Sequence, residues 1–257
     1  MPEISSYAVV ERGAELADDV RIGPFSFIGP KVHLGAGCVI DNNVSITGRT
    51  TLAAKNHVFP MTVVGAPPPD STGQGQCVIA QANDIREHVT IYAGVERPTR
   101  IGSDNLIMIG CQIGPGATIG SHGIFANCTH VGPCAHVEDY VRTSAFPVVD
   151  SGVRVGAYTF VAGYTGIDQD APPYAMVQGL PFRVRGVNTN NLHRCGFGED
   201  DISALKRAFR ELYNGSGARP NPAALERLRI NPNLNPHVRR LVEAIRSAKP
   251  AKGGGDG

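Results

Sequence analysis

Apolar residues recur every six positions along most of this chain, and this period constrains the fold more than any other feature. It matches neither the 3.6-residue repeat of an α-helix nor the two-residue alternation of a strand. It is typical of a solenoid whose short parallel strands form a prism, with three hexads to a coil. The hexad residues form three runs: Ile4, Val10, Leu16, Ile22, Ile28, Leu34, Ile40, Ile46, Leu52, Val58 and Val64; Ile79, Ile85 and Ile91; and Ile101, Ile107, Ile113, Ile119, Phe125, Val131, Val137, Thr143, Val149, Val155, Val161 and Ile167.

A small or β-branched residue often lies four positions after a hexad residue, as at Val20, Ser26 and Thr159, and marks a second inward position. Residues eighteen apart in an unbroken run are therefore expected to stack one coil apart, at the strand spacing of about 4.8 Å. The period itself does not determine the handedness of the coil.

Two breaks in the period, at residues 65–78 and 93–100, predict loops that leave the prism. Loops on a regular scaffold often carry binding residues. We favour a functional role for the first loop, whereas for the second a surface insertion without function is an equally good interpretation.

The hexads end in the sequence DQDAPPYAMVQG, and helical patterns follow. Ile202, Leu205, Phe209 and Leu212 share one helix face after an acidic start at residues 199–201. Further helices are expected at Pro222–Ile230 and Pro236–Lys249. The sequence thus predicts a β-helix over residues 1–178, an irregular connection over 179–198, a helical domain over 199–250 and a disordered tail over 251–257.

The composition argues against several classes of function. The 257 residues have a formal net charge of +1 and no basic run, so we expect no nucleic-acid partner. No stretch approaches the roughly 18 apolar residues of a membrane span. The six cysteines form no C-x-x-C pair, which favours free thiols in a reducing compartment and a cytoplasmic protein without a metal site.

Several segments outside the simple hexads resemble one family, the UDP-N-acetylglucosamine O-acyltransferases of lipid A biosynthesis. They are IREHVTI at 85–91, IGSDNLIMI at 101–109, DQDAPPYAMVQG at 168–179 and GVNTNNLHRCGF at 186–197, together with IGPFSFIGP at 22–30. The resemblance implies a mainly β fold, a left-handed parallel β-helix with a C-terminal α-helical domain. It also implies a homotrimer with active sites in the clefts between neighbouring subunits.

The activity that this resemblance implies is acyl transfer. Members move a 3-hydroxyacyl chain from an acyl carrier protein thioester to the 3-position of a UDP-amino sugar, onto a hydroxyl or in some cases an amine. The donor is the protein-bound phosphopantetheine thioester, so no bound cofactor and no metal are implied. The expected partners are acyl carrier protein and the UDP-amino sugar.

The family's catalytic base is absent from this chain. The family has a histidine followed by Asp at the positions of Pro115 and Gly116, and three further histidines at Gln112, Cys134 and Asp150. A sugar hydroxyl needs a base to take its proton as it attacks a thioester. The loss of four imidazoles together indicates an altered function.

Four positions that the resemblance assigns to substrate binding are retained: Asp70, Gly163, Asn188 and Arg194, with Gly163 at the end of the groove that measures acyl length. Other positions differ from the family pattern, at Pro69, Thr72, Asn190 and Cys195. Recognition of the sugar nucleotide is therefore open.

His130 is the candidate replacement base, because it lies eighteen positions after Gln112 and should stack one coil away. An exposed histidine at a subunit contact is the alternative. His136 is expected on the next face, and Asp150 is a weak base by its ordinary pKa. An amine acceptor would need no strong base, because an unprotonated amine is already nucleophilic.

Three functions remain open from the sequence. The first is an acyltransferase with a displaced base or another acceptor. The second is a non-catalytic relative that binds acyl carrier protein, a sugar nucleotide or a partner acyltransferase. The third is a metal hydratase of the carbonic anhydrase type, with zinc ligands drawn from His88, His122, His130 and His136.

Overall fold

The computed structural model describes residues 1–69, 71, 74–213 and 217–248, and within them the hexads form a prism with three faces, A, B and C. Successive strands pass from A to B to C, and each pairs in parallel with the strand one coil later. Gln112 lies beside His130 in this register, eighteen residues apart as predicted. Every hexad residue lies in a strand, which confirms the parallel solenoid.

The strands are numbered in chain order. Face A contains β1 (Glu3–Ile4), β4 (Arg21–Ile22), β7 (Val39–Ile40), β10 (His57–Val58), β13 (Asp84–Ile85), β16 (Leu106–Ile107), β19 (Ile124–Phe125), β22 (Arg142–Thr143), β25 (Phe160–Val161), β27 (Ala175–Gln178) and β28 (Arg183–Val187). Face B contains β2 (Val9–Val10), β5 (Phe27–Ile28), β8 (Ser45–Ile46), β11 (Val63–Ala66), β14 (Thr90–Tyr92), β17 (Gln112–Ile113), β20 (His130–Val131), β23 (Val148–Val149) and β26 (Gly166–Ile167). Face C contains β3 (Glu15–Leu16), β6 (Val32–Leu34), β9 (Arg49–Leu52), β12 (Gln76–Ile79), β15 (Thr99–Ile101), β18 (Thr118–Ile119), β21 (His136–Val137) and β24 (Arg154–Val155). We call the turns between the faces the AB, BC and CA corners.

Both loops are shorter in the structure than the breaks in the period. The first spans residues 67–75, between β11 and β12, and the second spans 93–98, between β14 and β15. The six-residue period marks only the inward residue of a strand, whereas the backbone hydrogen bonds of the strand extend to neighbouring residues. Gln76, for example, lies within the first break in the period and still pairs with Arg49 in register. Both loops leave the prism at the BC corner.

The prism interior contains a ladder of three buried asparagines, Asn56, Asn83 and Asn105. The Nδ2 of Asn83 donates to the Oδ1 of Asn56 at 2.9 Å, and the Nδ2 of Asn105 donates to the Oδ1 of Asn83 at 2.9 Å. Each Oδ1 also accepts the backbone N–H one coil on, from Asn83, Asn105 and Gly123 in turn. These amides satisfy backbone groups that the turns leave unpaired in the core.

The helices lie after the prism: α1 (Thr189–Arg194), α2 (Glu199–Leu212), α3 (Pro222–Ile230) and α4 (Pro236–Ser247). The apolar face predicted for α2 is buried. Both α3 and α4 begin with proline after an asparagine, Asn221 or Asn235, whose side chain accepts backbone N–H bonds at the N-terminus. Among the described helices, none combines the length and apolar character needed to cross a membrane.

The connection after the prism is more regular than expected. Strand β27 extends face A by pairing with β25, and β28 pairs with β27 in antiparallel fashion before α1 begins. The side chain of Asn191 in α1 donates to the carbonyl of Tyr140 at 2.9 Å and accepts from the Nε of Arg142 at 2.8 Å. These contacts tie α1 to the prism. The domain boundaries stay predictions.

Candidate active site at the BC corner

The position expected for the base is an ordinary turn of the prism. Pro115 and Gly116 lie at the BC corner between β17 and β18, and Pro133 and Cys134 occupy the same corner one coil later. The backbone N–H of Cys134 donates to the carbonyl of Pro115 at 2.9 Å. Gly116 has a φ of 68° and Cys134 a φ of 58°, so both use the left-handed conformation that this turn requires. The Pro115–Gly116 pair offers no side chain that could take a proton.

Both loops meet at this corner and line an open cleft of about 530 Å³. Its described lining residues are Pro68, Ser71, Gly94, Val95, Glu96, Arg97, Pro115, Gly116, Pro133 and Cys134. The sequence predicted the loops and the corner separately, and the structure places them around one cavity. Clefts of this size between loops of a rigid scaffold are common ligand sites.

Arg97 crosses the corner at Gly116. A Cβ on Gly116 would lie 3.1 Å from the Cγ and 3.3 Å from the Nε of Arg97. The Nη2 of Arg97 continues to the carbonyl of Cys134, to which it donates at 2.6 Å. The second loop can approach Gly116 closely because residue 94 is glycine: a Cβ on Gly94 would lie 2.6 Å from the backbone nitrogen of Gly116. The corner therefore carries a guanidinium from the second loop, which sequence reasoning did not assign to the site.

His130 lies on β20 of face B, between Gln112 and Val148 of the adjacent coils, and is partly buried. It is not among the described residues that line the cleft. The first residue of each face-B strand points outward, and none is Asp, Glu, Lys or Arg. These residues are Val9, Phe27, Ser45, Val63, Thr90, Gln112, His130, Val148 and Gly166. His130 thus belongs to an outward surface without formal charges.

His136 lies around the corner on face C, where a second open cavity of about 630 Å³ continues from the first. The two cavities share Glu96, Arg97 and Cys134. The remaining described lining residues of the second cavity are His136, Gly152, Arg154, Asp170 and Ser247. Sequence spacing placed His136 on the correct face but did not connect it with the cleft, because that connection depends on where the loop with Arg97 folds.

Partial burial is the main cause that lowers the pKa of His136, and the Arg154 guanidinium beside it acts in the same direction. Arg97 also lowers this pKa, whereas the carboxylates of Glu138 and Asp139 oppose the shift. The Nε of Arg154 is itself paired with Glu138 at 2.7 Å. The imidazole is therefore neutral at pH 7, which is the form that can accept a proton.

The structure describes three of the four positions that the family resemblance assigns to substrate binding, Gly163, Asn188 and Arg194. Gly163 lies at the AB corner, where a Cβ would be 3.2 Å from the carbonyl oxygen of Ala145. Asn188 is buried near the CA corner, and its Nδ2 donates to the carbonyl of Tyr158 at 2.8 Å. Arg194 is exposed in the last turn of α1. Their roles in binding stay predictions.

Asp70 lies outside the described residues. Asp150 is exposed at the BC corner, just after β23. It is not among the described lining residues of either cavity.

The four histidines considered as zinc ligands are dispersed over the prism. His88 lies at the AB corner, His122 at the CA corner, His130 on face B and His136 on face C. The described part of the chain contains no group of three or more His, Cys, Asp and Glu side chains that could hold a metal ion.

Comparison with known proteins identifies relatives that are named for acyl transfer to UDP-N-acetylglucosamine. Residues 170–253 match the family model for domain 2 of UDP-N-acetylglucosamine O-acyltransferase. An acyl-[acyl-carrier-protein]–UDP-N-acetylglucosamine O-acyltransferase of Syntrophobacter fumaroxidans is 35% identical over 255 residues, 96% of this chain and 98% of that protein. One from Saccharophagus degradans is 36% identical over 219 residues, 83% of this chain and 85% of that protein. The carbonic anhydrase hypothesis gains no support from these relatives.

The solved structures agree with the sequence relatives. The UDP-N-acetylglucosamine acyltransferase of Bacteroides fragilis superposes with a TM-score of 0.90 at 28% identity, over 96% of this chain and 98% of that chain. Its fold is a left-handed parallel β-helix, and this prism has the same hand. Since the chain matches 35%-identical relatives over nearly their whole length, it belongs to the UDP-N-acetylglucosamine O-acyltransferase family.

Proposed function

We propose that this protein transfers a 3-hydroxyacyl chain from acyl carrier protein to the 3-position of a UDP-amino sugar in lipid A biosynthesis. The observation that carries the proposal is the match, over 98% of its length, to a relative named for this donor and for UDP-N-acetylglucosamine. The donor is a phosphopantetheine thioester on the carrier protein, so the reaction needs no bound cofactor. A cytoplasmic location is part of the same proposal.

The proposed assembly is a homotrimer with sites in the clefts between subunits. Face B supports it, because the core of a protein interface is depleted of charged residues. Exposed apolar side chains at the AB corner, in two groups beside face B, support it as well. They are Tyr7, Phe25 and Met61 near the start of the prism and Phe146 and Tyr164 near its end, each at least 47% exposed in the single chain. A second copy of the chain would cover these side chains.

The chemistry requires a nucleophile at the thioester carbonyl. The acceptor oxygen forms a bond to the carbonyl carbon, the carbon–sulfur bond breaks, and the acceptor proton passes through a base to the departing thiolate. Pro115 cannot be this base. A displaced histidine, with His130 the candidate from the sequence, or an amine acceptor would restore the reaction.

A non-catalytic relative is the second candidate, favoured by the corner itself. Pro115, Gly116 and Pro133 offer no proton acceptor in the cleft, and Arg97 lies across it. Such a protein would keep the trimer and bind acyl carrier protein, a sugar nucleotide or a partner acyltransferase.

One experiment separates the two candidates. Purified protein is incubated with long-chain 3-hydroxyacyl carrier protein and either UDP-N-acetylglucosamine or its 3-amino analogue, and products are detected by mass spectrometry. Turnover with either acceptor supports acyl transfer and identifies the nucleophile. Absence of product with both, beside an active relative as control, refutes the enzyme and favours the binding protein.

A further inference from the structure

The cavity at the BC corner and the cavity on face C form one bent groove, which we call the corner groove. Its bend is Cys134, which lines both parts, and Arg97 reaches across both. The described residues at the Pro115 end of the groove are apolar or glycine, apart from Ser71, Glu96, Arg97 and the Cys134 thiol. The face-C end carries the ionisable side chains of His136, Arg154 and Asp170.

His136 is the only imidazole among the described residues that line the corner groove. It follows the Pro133–Cys134 turn directly on β21, so it lies one coil and one face beyond Pro115. In register it stands between Thr118 and Arg154. The two cavities meet at Cys134, so a group that enters at Pro115 can extend along the corner groove to the His136 ring.

The charged groups around His136 leave its ring available. Glu138 accepts from the Nε of Arg154 at 2.7 Å and from the Nη2 of Arg240 at 3.1 Å, so two guanidinium groups already engage this carboxylate. Arg97 faces the histidine from the second loop, and Asp170 lies in the same cavity. No hydrogen bond or ion pair joins the ring to another described residue.

We infer, on the basis of the proposed acyl transfer, that His136 replaces the missing histidine as the general base of this protein. Its neutral imidazole takes the proton of the acceptor hydroxyl as the oxygen bonds to the thioester carbon. The carbon–sulfur bond then breaks, and the imidazolium returns the proton to the thiolate of the phosphopantetheine. Ester and free thiol are formed, and the imidazole is restored. The lowered pKa of His136 keeps the accepting form populated at neutral pH.

The test compares the full-length wild type with His136→Asn and His136→Ala in steady-state acyl transfer to UDP-N-acetylglucosamine. A general base contributes about 10²–10⁴-fold, so kcat should fall at least about 100-fold with little change in KM. The matched control is His33→Asn, since His33 also points outward from face C but lies on β6. It should retain the wild-type rate, and circular dichroism should show that all variants are folded.

Two measurements distinguish a general base from a residue that only supports the structure. The wild-type rate should fall as the pH drops through the His136 pKa, below the ordinary value of histidine, and the variants should lack this inflection. Free imidazole should restore part of the rate to His136→Ala. Two outcomes with an active wild type would overturn this inference but not the proposed acyl transfer. In the first, the His136 variants keep the wild-type rate and pH profile. In the second, only the His130→Asn variant is inactive. A wild type without product overturns both the inference and the proposed acyl transfer.

Discussion

Replacing Asn83 with alanine is expected to destabilise the prism far more than its small loss of volume suggests. The Asn83 side chain donates to Asn56 and to the carbonyl of Ala80, and it accepts both the backbone N–H and the Nδ2 of Asn105. After the substitution, the Nδ2 of Asn105 still reaches the carbonyl of Gly120. The buried backbone N–H of Asn105 loses its acceptor.

The free energy follows from this change. An orphaned buried donor costs about 1–3 kcal/mol, and the net contribution of the lost side-chain bonds adds about 1 kcal/mol. The free energy of unfolding should therefore fall by about 2–4 kcal/mol. For a chain of this length each kcal/mol lowers Tm by about 2–4 °C, so we expect a decrease of roughly 5–15 °C.

Thermal unfolding followed by circular dichroism at one fixed protein concentration measures this decrease, because Tm of an oligomer depends on concentration. Asn233→Ala is the matched control, since Asn233 is exposed and its side chain makes no hydrogen bond to a described residue. A Tm for Asn83→Ala within about 2 °C of this control would refute the ladder as a major source of stability.

Three further predictions concern the site and the thiols. Restoring the family pair with Pro115→His and Gly116→Asp in the His136→Ala background should raise acyl transfer to UDP-N-acetylglucosamine by at least about 10²-fold; an unchanged rate in single-turnover assays would show that a base at this corner is not sufficient. Gly163→Met should shift the product towards shorter acyl chains in competition between carrier-protein donors, and an unaltered preference would remove Gly163 from the acyl groove. Burial raises the pKa of Cys77 to about 12, so about 10⁻⁴ of it is thiolate at pH 8. Iodoacetamide should label the exposed Cys134 and spare Cys77 in the native protein, and equal labelling by peptide mass spectrometry would contradict its burial.

The prism could be predicted from the sequence because its core imposes a simple rule. The residue that recurs every six positions points into the prism, and it is apolar except at Thr143. The Thr143 hydroxyl accepts the backbone N–H of Ala126 at 2.9 Å and pairs with the hydroxyl of Thr129 at 2.8 Å. A polar residue is tolerated here because its hydrogen bonds are made. Helix α1 escaped prediction, since six residues are too few to show a helical period.

The site could be predicted only in part. The repeat register placed Pro115 at a corner, yet the approach of Arg97 depends on a loop without periodicity and on the missing Cβ of Gly116. The resemblance assigns Asn188 to substrate binding, which stays a prediction, and the sequence does not show that its Nδ2 donates to the carbonyl of Tyr158. Both the approach of Arg97 and this hydrogen bond are contacts between distant segments, and the spacing of residues does not encode them.

The architecture explains how a catalytic histidine can be absent while the fold is intact. The inward residues stabilise the fold. The corner residues only need to adopt the backbone conformation of the turn, as Gly116 and Cys134 do at φ of 68° and 58°. The outward residue of a strand, such as His136 on β21, is likewise separate from the core. A base can therefore move from the corner at Pro115 to face C of the next coil without disturbing the core. The acceptor must then bind one coil and one face further along, and the residues that would reposition it are those of the two loops, where this chain departs from the repeat.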